Sequence, residues 1–164
     1  MTMRFGILTV SDRSSRGERP DLSGPALSEM VIKQGWIVVK IAIVPDDLQV
    51  LRETLSTWAD CGDVDIILST GGTGFSPRDI TPEATNLVID RLAPGLAEAM
   101  RQASRMVTPH AMLSRAVAGI RGKVLILNLP GSPKAAVENL TVVLPVLVHA
   151  VDLLKEDPEA EKHH

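Results

Sequence analysis

The sequence predicts a single α/β domain of three α/β/α layers, in which helices cover both faces of a mainly parallel sheet. Short apolar runs alternate with segments whose apolar residues recur at helical spacing, the pattern of repeated strand–helix units. The runs are continuously apolar, as expected of strands buried on both faces. A chain of 164 residues, 45% of them hydrophobic and 23% charged, can bury one sizeable core.

The first half of the chain predicts three strands, at residues 5–10, 36–44 and 64–69. A polar loop rich in Arg, Ser, Gly and Pro follows the first strand. We expect Ser23 to cap the next helix and Gly35 to end it. A second helix is expected to begin at Asp46 or Asp47, because aspartate is a preferred N-cap residue.

The second half predicts a helix start at Thr81-Pro82-Glu83, with Thr81 as the cap, a proline at the first helical position and an acid in the first turn. A further helix is expected over 95–105 and a strand over 124–129. Ser132 and Pro133 are expected to begin a C-terminal helix, which Pro145 should kink or break. We expect the domain to cover residues 1–154 and residues 155–164 to form a polar tail. The final His163 and His164 are consistent with the remnant of a purification tag.

The composition argues against several functions. A net charge of −3 without a long Lys/Arg run makes nucleic acid an unlikely ligand. Cys61 is the single cysteine, so no disulfide can form within the chain, and we expect it to lie at a helix end. No signal peptide is apparent in residues 1–10, and the apolar stretch 140–154 is too short and too interrupted to span a bilayer. We therefore expect a cytoplasmic protein.

Polar residues follow four predicted strands. Because parallel strands end at one edge of a sheet, we expect these residues to form one site there. They lie in the segments 9–12, 45–47, 69–74 and 128–132.

The sharpest local feature is Gly71-Gly72-Thr73-Gly74, directly after the third strand. Such a loop lets backbone N–H groups approach an anion. It is neither a Walker A loop nor a dinucleotide fingerprint. On the sequence, a tight turn that needs positive φ explains the glycines equally well.

Carboxylates accompany this loop. Either Asp46 or Asp47 is expected to cap a helix, which leaves the other free, and Asp79 is either a ligand or a loop acid. Two carboxylates at one sheet edge suit Mg²⁺, which prefers a few protein oxygens plus substrate phosphates. Candidates for holding phosphate, with solvated surface residues as the alternative, are Arg78, Arg115, Arg121 and Lys134.

Together these motifs resemble the molybdopterin adenylyltransferases, whose domain also occurs in gephyrin and in the plant two-domain cofactor enzyme. The similarity covers roughly residues 4–153, in order and at similar spacing. The segments that carry it are Thr9-Val10-Ser11-Asp12, Pro20-Asp21-Leu22-Ser23-Gly24-Pro25, Val44-Pro45-Asp46, the glycine loop with Pro77-Arg78-Asp79-Ile80-Thr81-Pro82-Glu83-Ala84-Thr85, Leu113-Ser114-Arg115, and Asn128-Leu129-Pro130-Gly131-Ser132-Pro133.

The resemblance implies a homotrimer that transfers AMP from Mg-ATP to the phosphate of molybdopterin, with release of pyrophosphate. Asp46 and Asp79 match the family's essential carboxylates and are the expected Mg²⁺ ligands. Asp47 replaces a glutamate that is usual in the family. Positions tied to pterin binding are matched by Ser11, Asp21 and Ser114. The nucleotide-phosphate region is matched by Gly71, Gly72, Thr73, Gly74, Pro130 and Gly131, and the same motifs add Asp12, Ser23, Arg115, Asn128 and Ser132 to the expected substrate-binding set.

Other interpretations remain open on the sequence. A paralogue could bind molybdopterin without transferring AMP, although Asp46 and Asp79 are both present, which favours an active enzyme. A further alternative is a scaffold domain that binds other proteins. No segment resembles the domain that inserts molybdate, so we expect a separate protein to receive the product.

Overall fold

The computed structural model describes residues 2–158 and residue 160. Within these residues, six strands form one sheet: β1 (Arg4–Val10), β2 (Ile37–Val44), β3 (Ile66–Thr70), β4 (Arg91–Leu92), β5 (Ala118–Arg121) and β6 (Val124–Leu129). The helices are α1 (Asp12–Ser15), α2 (Ser23–Lys33), α3 (Leu48–Asp60), α4 (Thr81–Val88), α5 (Pro94–Arg105) and α6 (Pro133–Leu154), with a 3₁₀ turn at Pro109–Leu113. His163 and His164 lie outside the described residues.

The strand order is β2-β1-β3-β6-β5-β4, and the first four strands are parallel. Chain order reverses at β1, because β2 lies on one side of it and β3 on the other. The predicted mainly parallel sheet is thus confirmed. The antiparallel strands β5 and β4 at one edge were not predicted; β4 has only two residues, both exposed, and therefore carries no apolar pattern.

Apolar clusters on the two faces of the sheet confirm the three layers. One cluster packs α2, α5 and α6 onto the sheet through Leu27, Met100 and Leu140. The other packs α3 and α4 onto the opposite face through Leu55 and Val88. Because both faces are covered, the central strands β3 and β6 are buried at every position, as their continuous apolar runs predict.

Two predicted helix caps are confirmed. Asp47 caps α3 by accepting a hydrogen bond from the N–H of Val50 at 2.9 Å. Ser132 caps α6 by accepting one from the N–H of Ala135 at 3.1 Å. Since Asp47 is the capping residue, the carboxylate of Asp46 is left for another role.

Two other cap predictions were wrong. Ser23 is the first residue of α2 rather than its cap, and its hydroxyl donates to the carbonyl of Gly131 at 2.6 Å. Thr81 is likewise the first residue of α4, and its hydroxyl donates to the carbonyl of Gly71 at 2.9 Å. The partner of Ser23 is 108 residues away in the chain and that of Thr81 is 10 residues away, and these tertiary contacts take precedence over local capping.

Of the two effects expected of Pro145, a kink or a break, the break does not occur, because α6 continues through it to Leu154. Proline inside a helix removes one backbone hydrogen bond and costs about 3 kcal/mol. The buried inner face on both sides, including Leu140 and Leu147, offsets that cost. By length and composition alone α6 could cross a membrane, but this face packs in the core.

The polar loop expected after β1 contains the short helix α1. Ser11 caps it by accepting a hydrogen bond from the N–H of Ser14 at 3.1 Å. A helix of four residues is too short to show an apolar repeat, so its sequence predicts a loop.

Candidate functional site

A cleft of about 540 Å³ opens at the carboxyl edge of the sheet, where β1 and β3 end. We call it the switch-point cleft, because chain order reverses there and ligands of open α/β sheets bind at such positions. Its wall brings together many of the predicted site residues: Ser11, Asp21, Ser23, Asp46, Gly71, Gly72, Asp79, Gly131 and Ser132. It also includes Thr9, from the predicted polar segment 9–12, and Ser14 and Arg19, which the sequence did not single out.

Gly71 and Gly72 form the turn that ends β3. Both have positive φ, 103° and 68°. A Cβ on Gly71 would collide with the carbonyl oxygen of Val10, and one on Gly72 with the hydroxyl of Thr81. The tight-turn interpretation therefore holds for these two residues. It does not compete with ligand binding, because the absence of Cβ atoms also leaves the backbone open to a close approach.

Asp46 lies on the wall of this cleft and is fixed by Asp12. The N–H of Asp12 donates to Oδ2 of Asp46, and the N–H of Asp46 donates to Oδ1 of Asp12, both at 3.0 Å. Burial raises the pKa of Asp46; the Asp12 N–H opposes this, and the charges of Asp12 and Asp79 add to it. Its ionised form is thus less favourable than that of a free aspartate, and an adjacent cation would stabilise it.

Asp79 is held in a loop that Arg115 organises. Oδ2 of Asp79 accepts a hydrogen bond from the N–H of Ser76 at 3.0 Å. The guanidinium of Arg115 donates to the carbonyl oxygens of Gly74 and Asp79, both at 2.7 Å, and pairs with Glu83. Arg115 was predicted to bind substrate, but its guanidinium instead donates hydrogen bonds to the loop that carries Asp79.

Arg78 joins the same loop to Asp12. Its Nε and Nη2 donate to the two carboxylate oxygens of Asp12 at 2.9 and 3.0 Å. This bidentate pair lowers the pKa of Asp12. Asp12 itself lies outside the cleft wall but contacts Asp46, so Arg78, Asp12 and Asp46 form a continuous chain of hydrogen bonds.

Asp21 and Ser23 fasten the start of α2 to the site. The carboxylate of Asp21 accepts hydrogen bonds from the hydroxyl of Thr9 at 2.8 Å and from the N–H of Gly24 at 3.1 Å. By accepting from the N–H of Gly24 in the first turn of α2, Asp21 takes the capping role that was expected of Ser23. A second link joins β3 to the loop before α6, since the hydroxyl of Thr70 donates to the carbonyl of Pro130 at 2.6 Å.

A second cleft, of about 270 Å³, opens on the other flank of the glycine loop. We call it the side cleft. Predicted site residues on its wall are Thr73, Gly74, Ser114 and Pro130. The rest of its polar lining, which the sequence did not indicate, consists of Arg101, Ser104, Thr108, His110 and Asn139. Ser114 is therefore in a different cleft from Ser11 and Asp21, with which it was grouped.

Asn128 lies in the sheet and lines neither cleft. Its side chain is fully buried, and Nδ2 donates to the hydroxyls of Ser69 and Thr85, both at 2.9 Å. Its Oδ1 accepts from the N–H of Val117 at 3.0 Å. These bonds make Asn128 a structural link between β6, β3, α4 and the segment before β5.

Two of the phosphate candidates have other surroundings. Arg121 pairs with Asp60 and donates to the carbonyl of Val88 at the opposite edge of the sheet, so it lies away from both clefts. Lys134, at the start of α6, is 82% exposed and lies 3.9 Å from the carboxylate of Glu138.

Two carboxylates in the switch-point cleft could hold a divalent cation. Among the described residues no three or more His, Cys, Asp or Glu side chains form a metal cluster. Asp46 and Asp79 are nevertheless both on the wall of the cleft, and the charge of Asp79 contributes to the raised pKa of Asp46. Two carboxylates suit Mg²⁺ when substrate phosphates and water supply its other ligands.

Comparisons with known proteins show the family of the chain. The model of a probable molybdopterin binding domain matches residues 6–149. A molybdopterin adenylyltransferase of Helicobacter pylori strain J99 is 42% identical, over 93% of this chain and 88% of its own length. Gephyrin of Dictyostelium discoideum is also 42% identical, but the chain spans 23% of that longer protein.

Solved structures give the same result. A molybdopterin biosynthesis enzyme MoaB from Thermus thermophilus superposes with a TM-score of 0.90 at 51% identity, over 96% of this chain and 99% of the other. A MogA structure superposes with a TM-score of 0.87 at 38% identity, over 92% of this chain and 99% of the other. With a family match over most of its length and relatives of matching size, the chain belongs to the molybdopterin-binding domain family that includes the molybdopterin adenylyltransferases.

Proposed function

We propose that this chain is a molybdopterin adenylyltransferase, which transfers AMP from ATP to the phosphate of molybdopterin in molybdenum-cofactor biosynthesis. The observation that carries the proposal is the pair of clefts on either flank of the glycine loop. One contains Asp46 and Asp79, and the other contains Ser114. Two substrates bound in these clefts would meet at the residues 71–74. The names of the relatives support the same reaction.

The reaction needs positioning more than proton transfer. A phosphate oxygen of molybdopterin attacks the α-phosphorus of ATP, one P–O bond forms, and the bond between the α- and β-phosphates breaks to release pyrophosphate. A phosphate monoester has its second pKa near ~6 and is largely dianionic at neutral pH, so no general base is required. The obstacle is the approach of two anions, which fixed donors and positive charge overcome.

We assign Asp46 and Asp79 to hold Mg²⁺, directly or through water. The bound ion would neutralise charge on the triphosphate and its pyrophosphate leaving group. The carboxylates suit this task because Asp12 fixes Asp46 through a backbone N–H, and the Ser76 N–H fixes Asp79. The raised pKa of Asp46 supports the assignment, because a neighbouring cation would favour the ionised carboxylate.

Backbone groups complete the proposed nucleotide site. Gly71 and Gly72 at the turn, together with the N-terminal end of α6 behind Ser132, line the same cleft. The N-terminus of a long helix favours negative charge. We therefore place the triphosphate in the switch-point cleft and the pterin in the side cleft beside Ser114. This placement puts Ser11 and Asp21, which the resemblance ties to the pterin, beside the nucleotide, together with Ser23.

The test is a comparison of Asp46→Asn with Asp47→Asn. The first removes charge from the cleft, whereas the second alters the neighbouring cap of α3. We expect Asp46→Asn to lower AMP transfer about 100-fold or more with little change in molybdopterin affinity. Asp47→Asn should retain transfer, because asparagine also caps helices. Unchanged turnover in Asp46→Asn contradicts the metal role.

A paralogue that binds molybdopterin without transfer is the second candidate, since the family model that matches the chain is described by molybdopterin binding alone. It predicts tight molybdopterin binding without pyrophosphate release. The presence of both Asp46 and Asp79 in one cleft favours the transferase.

We further propose a cytoplasmic homotrimer that passes its product to a separate molybdate-inserting protein. Exposed apolar side chains support self-association: Met106 is 87% exposed and Ile41 is 65% exposed. Light scattering should give a mass three times the 17.6 kDa of one chain. A mass equal to one chain across the micromolar range contradicts the trimer.

A further inference from the structure

Arg78 is the cation nearest to Asp12 among the described residues. Its guanidinium makes a two-pronged ion pair with that carboxylate, at 2.9 and 3.0 Å. Asp12 in turn exchanges backbone hydrogen bonds with Asp46. Arg78 is 65% exposed, while Asp12 is 21% exposed, so the arginine covers Asp12 from the solvent side.

The charges at this end of the sheet explain why that pairing matters. Asp46 and Asp79 line the switch-point cleft, and Asp12 exchanges hydrogen bonds with Asp46, so three carboxylates lie at this end of the sheet. Three unpaired carboxylates would repel a nucleotide triphosphate. The Arg78 pair neutralises one of them and leaves two for a single divalent cation.

We propose that Arg78 is a positioning residue that acts on the nucleotide through Asp12: it neutralises this carboxylate and holds it against Asp46, and it does not bind phosphate itself. The inference rests on the proposed function, because it takes Mg-ATP as the ligand of the switch-point cleft. It assigns the fork of Arg78 a task that a single ammonium group could not perform with the same geometry.

The test is rescue by a second substitution. Arg78→Gln leaves Asp12 with an unpaired charge, and we expect affinity for Mg-ATP to fall about fivefold, from one added unit charge several ångströms away. Asp12→Asn removes that charge, while the amide oxygen can still accept from the N–H of Asp46. The Arg78→Gln/Asp12→Asn double variant should therefore bind Mg-ATP within about twofold of wild type, a non-additive result.

The matched control is Arg16→Gln. Arg16 is also an exposed arginine close to Asp12, but its ion pair is with Glu18, at 2.8 Å. The Arg16→Gln substitution removes the same unit of charge without exposing Asp12. We therefore expect the affinity of this variant for Mg-ATP to stay within about twofold of wild type. Equal unfolding midpoints for all variants would show that folding is not the cause of any change.

Calorimetric titration with Mg-ATP alone gives the readout, and pyrophosphate release is measured separately. Loss of affinity in Arg78→Gln with recovery in the double variant supports the inference. Loss without recovery means direct phosphate binding by Arg78 and overturns it, as does unchanged affinity in Arg78→Gln. Wild-type binding of Mg-ATP without transfer to molybdopterin overturns the proposed function alone, whereas no binding by wild type overturns both.

Discussion

Asp12 and Asp46 exchange hydrogen bonds across the end of β1, each backbone N–H donating to the carboxylate of the other at 3.0 Å. This reciprocal contact fixes the carboxylate of Asp46 through a backbone N–H, without a basic side chain that would neutralise its charge. The carboxylate is therefore ordered while remaining available to a cation. Asp47, the next residue, takes the capping role that would otherwise compete for this position.

Arg115 is expected to affect catalysis through loop geometry. Lysine cannot replace its simultaneous bonds to the carbonyls of Gly74 and Asp79 and to Glu83. We expect Arg115→Lys to lower kcat about tenfold, with a smaller change in KM for ATP, because the position of Asp79 shifts. Steady-state kinetics of pyrophosphate release measure both. Arg105→Lys, on the exposed end of α5, serves as the control. A rise in KM alone would instead indicate direct phosphate binding by Arg115.

Gly71 is expected to be essential for the turn itself. Alanine there meets both a positive φ of 103° and the carbonyl oxygen of Val10. Gly35→Ala is the matched control, because Gly35 has a φ of 79° but open space around its missing Cβ. We expect Gly71→Ala to lower the free energy of unfolding by about 2 kcal/mol or more, and Gly35→Ala by about 1 kcal/mol. Chemical denaturation measures both, and equal losses would show that the contact with Val10 is unimportant.

Asn128 is expected to matter for stability. Asn128→Ala would leave the hydroxyls of Ser69 and Thr85 and the N–H of Val117 without this partner in a buried site. We expect a loss of about 3 kcal/mol in the free energy of unfolding. The exposed Asn86→Ala should change it little. Normal stability together with weakened ligand binding would restore Asn128 to the substrate-binding set.

Asp65 should make stability depend on pH. This nearly buried carboxylate at the amino end of β3 receives hydrogen bonds from Arg4 and lies 2.8 Å from Nζ of Lys155. Burial raises the pKa of Asp65, but the hydrogen bonds from Arg4 and Lys155 outweigh it and hold the pKa below its ordinary value. A lowered pKa stabilises the fold above the unfolded value of about 3.9, and this contribution is lost as pH falls through the lower folded value.

The stability gap between wild type and Asp65→Asn should thus be full at neutral pH and shrink below about pH 4. Denaturation curves from pH 7 to pH 3 measure it. Asp60→Asn is the control, because Asp60 forms an ion pair with Arg121 but is 57% exposed, and it should give a small gap at every pH. A gap for Asp65→Asn that is constant with pH contradicts the account.

The parts of the fold that follow from sequence are those with strong local patterns. The apolar runs of β1, β3 and β6 predicted buried strands, and Ser132 with Pro133 predicted the start of α6. Ser23 and Thr81 carry the same capping chemistry as Ser132, yet their hydroxyls bind carbonyls of other loops. Tertiary partners of this kind leave no pattern in the helix sequence.

The site shows the same division. Motifs in order predicted the carboxylates and the glycine turn, and the structure places them on one cleft. Spacing could not separate Ser114 from Ser11, which lie in different clefts, or reveal that Asn128 faces the interior. Nor could it show that Arg78 pairs with Asp12, 66 residues away in the chain.

Pyrophosphate release on mixing the purified chain with Mg-ATP and anaerobically prepared molybdopterin is the decisive test of AMP transfer. We expect release that requires molybdopterin and is lost in Asp46→Asn. Absence of release from the wild-type chain, with molybdopterin still tightly bound, would contradict the transferase and favour a binding paralogue.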